Sequence, residues 1–430
     1  MTIDEILTKI NDSGSDSIFA GLYGEDQDVI SRQRVRYSKA VEAFSVLFPE
    51  DKEGISIFSA PGRTEICGNH TDHQRGRVLA AAVDLDTIAV VSFRKEHVIR
   101  ICSEGYPHIE VNIDALSAVP EEKGTTAALV RGMVSRFTDL GINVSGFDAY
   151  ITSSVLSGSG LSSSAAFEML IGKIIDCHDN HGGTGAAEIA KFGQYAENVY
   201  FGKACGLMDQ MVSSVGGFVE IDFADADSSK IDVHQCDLDK LGFSLIITDT
   251  KGSHADLSDE YSAIPEEMRS VARFFGKDVL REVDENEFFS RISELKKDSQ
   301  INDRAILRSA HFFSENARVK RAASALDKGN IRGFLDQVNA SGESSERLLQ
   351  NLFCTSRPKA QEIPLALMLS RKILGEEGAC RVHGGGFAGT IQAFVPKTKE
   401  AEYVRTLESV YGQGSCHILH IRPCGSIKVF

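Results

Sequence analysis

The chain has 430 residues, of which 42% are hydrophobic and 25% charged, and its formal net charge is −15. These values are typical of a soluble globular protein, and the length exceeds what one core usually supports, so we expect two domains. The negative charge disfavours nucleic acid or an anionic membrane as the main partner, and the apolar runs are too short to cross a bilayer. Nine cysteines without a CxxC pair favour a cytoplasmic protein over a disulfide framework or a zinc site.

The first half of the chain predicts a helical cap followed by a sheet. Residues 1–50 are polar and helical, and we expect them to cap the core. A short strand over 55–58 is expected to end at the turn signal of residues 59–62, which contains Pro-Gly. The other elements expected before residue 225 are strands at 78–91, 99–101, 109–113, 146–151 and 218–223, and helices at 125–140, 162–176 and 186–201.

The second half is predicted to be richer in helix. We place a domain boundary between residues 225 and 226, which gives domains over 1–225 and 226–430. The elements expected after it are a buried strand at 243–248, a charged and mostly helical stretch over 258–349, and paired strands at 378–382 and 390–395.

Residues 155–166, VLSGSGLSSSAA, place two glycines and three serines at the start of a predicted helix. The free N–H groups and positive dipole end of a helix start form a natural anion site. Serine hydroxyls there can cap the helix, bind phosphate oxygens or reach a divalent metal. An ordinary strand–turn–helix junction is the alternative. The stretch is neither a dinucleotide fingerprint, because Ser163 replaces the third glycine, nor a Walker loop, because the lysine is missing.

Two further segments are candidates for a binding site. Residues 63–74 bring Arg, Glu, Asn, Asp and two His together between apolar stretches, and such groups are costly to bury unpaired. A solvated surface loop is the alternative for this segment. Residues 383–389, HGGGFAG, could be a hairpin turn. Three consecutive glycines exceed the need of a two-residue turn and indicate close approach of the backbone to another group.

Four ordered segments of the chain resemble the motifs of the GHMP kinases, and most closely those of the galactokinases. The segments are 63–72, 156–166, 205–210 and 381–389, and the resemblance runs from about residue 44 to 395. It implies an α+β, two-domain GHMP kinase fold with the active site in the cleft between the domains. It also implies a monomer that transfers the γ-phosphoryl group of ATP to the anomeric hydroxyl of galactose or a close relative.

The resemblance assigns roles to individual residues. Asp209 matches the base that accepts the sugar hydroxyl proton, and Arg63 matches the arginine that keeps this base ionised. The positions implied to bind the sugar are Asn69, His70, Asp72, Tyr261 and Glu65. The positions implied to bind the ATP phosphates are Ser157, Gly158, Ser159, Gly160, Leu161, Ser162, Ser163, Ser164 and Gly385. Ser164 and Glu197 match the positions that hold Mg²⁺.

The sugar motif departs from the galactokinase pattern at three positions. Glu65 stands where the family has Asn, Asn69 stands where it has a Glu that contacts the sugar towards C6, and His73 replaces a Tyr. One interpretation is that Glu65 restores the hydrogen-bond network with reversed polarity, which leaves galactose as the substrate. The other is that the pocket takes a sugar altered at C6, such as galacturonate, which a Glu would repel.

Two other functions remain as alternatives. A galactokinase-like sugar sensor would bind its ligands without catalysis, but the serine run, Glu197 and Asp209 are all present. A GHMP kinase for a non-sugar substrate such as mevalonate is disfavoured by the His-Thr-Asp sequence at residues 70–72.

Overall fold

The computed structural model describes residues 1–51, 53–155, 160–203, 205–225, 229–253 and 257–430. The helices are α1 (Ile3–Asn11), α2 (Asp16–Tyr23), α3 (Gln27–Leu47), α4 (Thr126–Asp139), α5 (Ser163–Asp179), α6 (Ala186–Tyr195), α7 (Met208–Val215), α8 (Ser258–Phe274), α9 (Glu285–Ser290), α10 (Ile292–Leu295), α11 (Asp303–Asp327), α12 (Ile331–Ser344), α13 (Glu362–Leu374) and α14 (Glu400–Tyr411). Across the described ranges, no helix combines the length and the apolar character that crossing a membrane requires.

The strands belong to two sheets. They are β1 (Ser56–Cys67), β2 (Arg77–Arg94), β3 (Val98–Ser103), β4 (Ile109–Asn112), β5 (Gly146–Ser153), β6 (Phe218–Asp222), β7 (Lys230–His234), β8 (Phe243–Asp249), β9 (Ala379–Val382), β10 (Thr390–Pro396), β11 (Cys416–Leu419) and β12 (Ile427–Lys428). The mixture of helices and sheets confirms the predicted α+β class, and apart from the first strand the predicted elements lie within a few residues of observed ones.

The larger sheet has the order β12–β1–β2–β5–β3–β4, with β6 paired to β2 and β7 paired to β6. The smaller sheet has the order β11–β8–β10–β9. Strands β3 and β5 run parallel, so the chain must cross over between them, and α4 lies in that crossover. Because β7 and β12 join the larger sheet, the chain returns to it after residue 226. The domain boundary at that position stays a prediction.

Strand β1 runs to Cys67, so the predicted end of this strand at residue 58 is wrong. Its pairing with β2 continues to Pro61, opposite Asp86, and resumes at Arg63, opposite Ala82, with a register shift between the two pairs. Proline donates no hydrogen bond and glycine bends freely, so the two residues are suited to a bulge within a paired strand. Pro-Gly therefore marks a β-bulge here and not a turn.

Two buried clusters hold the sheets in place. Helices α4 to α7 cover one face of the larger sheet, where Phe137 and Met169 pack against the β5 residue Phe147. A second cluster, to which α11 and α12 contribute, joins β2 to the smaller sheet through residues such as Leu79 and Phe394. The two sheets are thereby held so that the end of β1 meets the loop between β9 and β10.

The three N-terminal helices form the predicted cap. Thr2 and Glu5 make a reciprocal capping box at the start of α1, and Asp26 caps α3. The apolar faces of these helices pack on Ile57 of β1 and on Phe430 near the end of the chain. The N-terminal segment is therefore part of the core of the larger sheet.

Asp86 is a fully buried carboxylate that ties this cap to the sheet. It accepts hydrogen bonds from Tyr23 at 2.6 Å, from Arg36 at 2.6 Å and from Arg422 at 3.2 Å, and Ser59 donates a further one. Burial acts to raise the pKa of Asp86, but the charges of the two arginines outweigh it and lower that pKa. The ionised form is therefore part of the folded structure.

We expect Asp86→Asn to lower the free energy of unfolding by about 3–5 kcal/mol, because it leaves the buried Arg422 guanidinium without its counter-charge. Urea unfolding followed by circular dichroism measures this change. Asp139→Asn removes an exposed ion pair with Arg136 and serves as the control, with an expected loss below about 1 kcal/mol. Equal losses in the two variants would contradict the role of Asp86.

Candidate active site

Arg63 and Asp209 form a bidentate ion pair beside the bulge of β1. Arg63 Nε donates to Asp209 Oδ1 at 2.7 Å, and Nη2 donates to Oδ2 at 2.6 Å. Asp209 lies in the first turn of α7. Burial acts to raise the pKa of Asp209, but the charge and hydrogen bonds of Arg63 outweigh it and hold that pKa below its usual value. The carboxylate is therefore ionised at neutral pH.

The stretch 155–166, called the serine-rich loop from here on, contacts this ion pair. The backbone N–H of Arg63 donates to the Leu161 carbonyl at 3.0 Å, and Arg63 Nη1 donates to the Gly160 carbonyl. A side chain at Gly62 would lie 2.8 Å from the Leu161 oxygen, so this contact requires glycine. Strand β1 and the loop therefore approach each other backbone to backbone.

The loop serines differ in their surroundings. Ser162 precedes α5 in the left-handed conformation, with φ of 59°, and its hydroxyl does not cap that helix. It donates instead to Asp209 Oδ2. Ser163 and Ser164 lie half-buried in the first turn of α5. Ser157, Gly158 and Ser159 lie outside the described residues, so the roles of the loop residues towards phosphate stay predictions.

The polar segment 63–74 is not a solvated surface loop. Each of its residues is buried or half-buried. The segment continues β1 to Cys67 and ends in the short 3₁₀ turn Asp72–Gln74. Most of its polar groups are therefore paired within the protein, and the His73 ring is an exception among the described residues.

Asn69 is held by four hydrogen bonds and is only 1% exposed. Its Nδ2 donates to Glu65 Oε1 at 2.9 Å and to the Gly384 carbonyl at 2.8 Å. Its Oδ1 accepts from Asn351 at 2.8 Å and from Ser345 at 3.4 Å. An amide side chain donates two hydrogen bonds and accepts two, so Asn69 is saturated by protein groups. It links the end of β1 to the loop after β9 and to the chain after α12.

Glu65 is a second member of this network. Its Oε1 accepts from Asn69 and also from Arg381 Nη2 at 3.3 Å. Burial raises the pKa of Glu65, and the charge of Arg381 opposes that rise. The acid and the amide that are exchanged relative to the galactokinase motif therefore hydrogen-bond to each other.

His70 and Tyr261 contact the glycine cluster, residues 383–389, which contains Gly385. His70 has φ of 56°, and its Nε2 lies 3.0 Å from the Gly385 carbonyl, so this nitrogen carries the proton. The Tyr261 hydroxyl donates to the Gly386 carbonyl at 2.8 Å. A side chain at Gly385 would lie 2.7 Å from the Tyr261 ring. Gly385 thus lies among the predicted sugar-binding residues, and its predicted contact with phosphate remains untested.

Asp72 and His73 lie in the 3₁₀ turn that follows Thr71, and the His73 ring lies 5.7 Å from that of His70. Burial raises the pKa of Asp72, His70 opposes the rise, and the Asp209 carboxylate adds to it. A side chain at Gly206, in the segment before Asp209, would lie 2.8 Å from Asp72 Oδ2. Burial lowers the pKa of His73 well below its usual value. Neither ring nitrogen of His73 has a hydrogen-bond partner among the described residues.

Glu197 lies on a π-helical turn, Ala196–Phe201, that continues α6, a feature frequent at functional sites. Its carboxylate is buried, and its Oε1 accepts from Lys203 at 3.0 Å while its Oε2 accepts from Gln210 at 2.9 Å. In the described part of the chain, no group of three or more His, Cys, Asp or Glu side chains could hold a metal ion. The role of Glu197 and Ser164 towards Mg²⁺ stays a prediction; one carboxylate and one hydroxyl are the oxygen donors expected for an ion that keeps most of its ligands as water and phosphate oxygens.

Sequence reasoning missed several residues that organise the site. His383 lies between Thr64, at 3.0 Å, and Thr390, at 2.9 Å. A side chain at Gly160 would lie 3.2 Å from the His383 ring, so this histidine connects the glycine cluster to the serine-rich loop. Its place in the segment 383–389 was the available signal. Asn351 lies in no recognisable motif, so only the fold reveals it.

Two family models match the chain at these positions. The galactokinase galactose-binding signature matches residues 42–93, and the GHMP kinases N terminal domain matches residues 128–217. The first range contains Arg63, Glu65 and Asn69. The second contains the serine-rich loop, Glu197 and Asp209.

Known proteins resemble the chain over most of its length. A galactokinase of Glaesserella parasuis serovar 5 (strain SH0165) is 33% identical over 350 residues, which cover 79% of this chain and 85% of that protein. The fold is similar to Lactococcus lactis galactokinase complexed with galactose, with a TM-score of 0.76, 24% identity, and coverage of 92% of this chain and 100% of that one.

A more distant likeness joins the chain to the wider group. Methanococcus jannaschii mevalonate kinase has a TM-score of 0.57 and 16% identity, with coverage of 85% of this chain and 98% of that one. At such identity the likeness shows the fold alone. The sequence match and the family models confirm the resemblance drawn from the four motifs: the chain belongs to the galactokinase family of GHMP kinases, enzymes that transfer a phosphoryl group from ATP.

Proposed function

We propose that the protein transfers the γ-phosphoryl group of ATP to the anomeric hydroxyl of galactose. The observation that carries this proposal is the Arg63–Asp209 pair, which keeps an ionised carboxylate beside the loop that leads into α5. Asp209 accepts the hydrogen bond of the sugar hydroxyl and takes its proton as the new oxygen–phosphorus bond forms. The bond between the γ-phosphorus and the β–γ bridging oxygen of ATP breaks, and ADP leaves. A carboxylate of low pKa suffices, because phosphoryl transfer depends mainly on positioning and charge compensation.

The choice of galactose rests on the Glu65–Asn69 exchange. The amide of Asn69 is saturated by protein groups, so it presents no free donor to a carboxylate at C6 of a sugar. The restored network supports galactose over galacturonate. Recognition of the sugar is then the task of His70, Asp72 and Tyr261.

We assign the ATP phosphates to the loop 157–164 and to the first turn of α5, whose free N–H groups and positive dipole end favour anions. Gly385 is proposed to add a phosphate contact from the segment 383–389. Ser164 and Glu197 would hold Mg²⁺, which supplies positive charge to the phosphate oxygens. The cytoplasmic location and the monomeric state stay predictions.

Asp209→Asn is expected to fold normally and to lower kcat with galactose and MgATP by about 10²–10⁴-fold, because the base is removed while the shape is kept. Release of ADP in a coupled assay measures this loss, and thermal melting checks the fold. Asp232→Asn, in an exposed pair with Lys230, is the matched control. Turnover near the wild-type value would remove Asp209 from the role of base.

Ser162→Ala is expected to shift the acid limb of kcat/KM to higher pH. The Ser162 hydroxyl donates to the charged form of Asp209, so its loss raises the pKa of that carboxylate, and protonation then removes activity at a higher pH. A pH profile of the initial rate measures the shift. Ser409→Ala, on the exposed face of α14, should leave the profile unchanged, and an unmoved limb in Ser162→Ala would refute the argument.

The Glu65–Asn69 pair can be tested by exchanging its members. Asn69→Glu places two carboxylates in contact and Glu65→Asn leaves Arg381 with a neutral partner, so each should lower the free energy of unfolding by about 1–3 kcal/mol. The double variant should lose less than the sum of the two, by about 0.5–3 kcal/mol. Urea unfolding of the four proteins completes the cycle. Additive losses would mean that the two residues are not a compensated pair.

A further inference from the structure

Glu168 is a buried carboxyl group to which the proposed reaction gives no role. It lies on α5 and is 0% exposed. Its Oε2 accepts a hydrogen bond from Gln210 Nε2 at 3.0 Å, and its Oε1 has no partner within the described part of the chain. Burying a polar side chain so deep in a core costs free energy unless the side chain is hydrogen-bonded.

Gln210 connects this carboxyl group to Glu197. The Nε2 atom of Gln210 lies 3.0 Å from Glu168 Oε2 and 2.9 Å from Glu197 Oε2. A primary amide carries two N–H bonds, so it can donate one to each carboxyl group. Gln210 is itself fully buried and directly follows Asp209 in α7. The bridge therefore joins the helix after the serine-rich loop, the π-helical turn and the helix of Asp209.

The packing around the bridge leaves it little freedom. A side chain at Gly193 of α6 would lie 2.9 Å from Glu168 Oε2 and 3.1 Å from Gln210 Cγ, so α6 presses directly on the two groups. The second oxygen of Glu197 faces the Lys203 ammonium at 3.0 Å. Burial, and then the charge of Glu197, raises the pKa of Glu168 well above its usual value. Gln210 thus lies between two buried carboxyl groups that belong to different helical segments.

We propose that Glu168 is a positioning residue that acts through Gln210 to fix the orientation of the Glu197 carboxylate towards a divalent cation. Without an acceptor at Glu168, the Gln210 amide keeps one of its two anchors and can rotate away from Glu197 Oε2. The carboxylate then loses its fixed donor and its preorganised direction. This inference rests on the proposed role of Glu197 as a metal ligand.

Direct binding of Mn²⁺ to the full-length protein with a non-hydrolysable ATP analogue tests the inference, with free Mn²⁺ measured by electron paramagnetic resonance. Glu168→Leu removes the acceptor at similar volume and should weaken Mn²⁺ binding by about 10–100-fold, as expected for loss of a group that orients a metal ligand. Glu168→Gln keeps a neutral acceptor oxygen and should bind within about 3-fold of wild type. The KM for galactose should not change in either variant, whereas a general loss of structure would alter it.

Two further variants separate the bridge from the metal assignment. Gln210→Leu breaks the bridge from its other end and should weaken Mn²⁺ binding by about the same 10–100-fold. It tests the bridge independently if Glu168→Leu does not fold. Glu188→Leu, on the exposed part of α6, is the matched control and should bind Mn²⁺ as wild type does. Weaker binding in Glu197→Gln with wild-type binding in Glu168→Leu would overturn the inference alone. Wild-type binding in Glu197→Gln would overturn the metal role of Glu197, and the inference with it.

Discussion

The guanidinium of Arg63 is the group on which the geometry of the site depends. A charge in a partly buried position needs partners, and this one has the two carboxylate oxygens of Asp209 and the carbonyl of Gly160. The backbone N–H of the same residue holds Leu161. One strand, one loop and one helix are therefore fixed relative to each other by a single residue. The bulge at Pro61 and Gly62 gives this residue its position, so the local irregularity of β1 and the proposed chemistry share one cause.

Glu65 and Asn69, two of the positions at which the sugar motif departs from the galactokinase pattern, hydrogen-bond to each other. The acid and the amide are four positions apart in the sequence, and the fold brings their side chains into contact. The loop after β9 then contributes the Gly384 carbonyl, and Arg381 contributes the positive charge. The network joins the two sheets, so a substitution at Glu65 or Asn69 alters contacts of both sheets. This explains why a departure in the sugar motif need not indicate a different sugar.

Much of the fold could be predicted from the sequence, because hydrophobic periodicity marks most helices and strands and the four motifs identify the family. The end of β1 could not be predicted, because Pro-Gly is a turn signal in the local sequence. Only the pairing with β2 shows that the strand continues. The direction of the Ser162 hydroxyl could not either, because it depends on a left-handed backbone at that residue. Asn351 and Glu168 act through contacts between segments distant in sequence, for which no local pattern exists.

The central claim is that this arrangement phosphorylates galactose at its anomeric hydroxyl. The most direct measurement is ³¹P and ¹H nuclear magnetic resonance of the product formed from galactose and MgATP, beside parallel incubations with galacturonate and mevalonate. We expect galactose 1-phosphate, with a coupling between the phosphorus and the anomeric proton, and little turnover of the other two compounds. Phosphate on another hydroxyl, or preferred turnover of galacturonate, would contradict it.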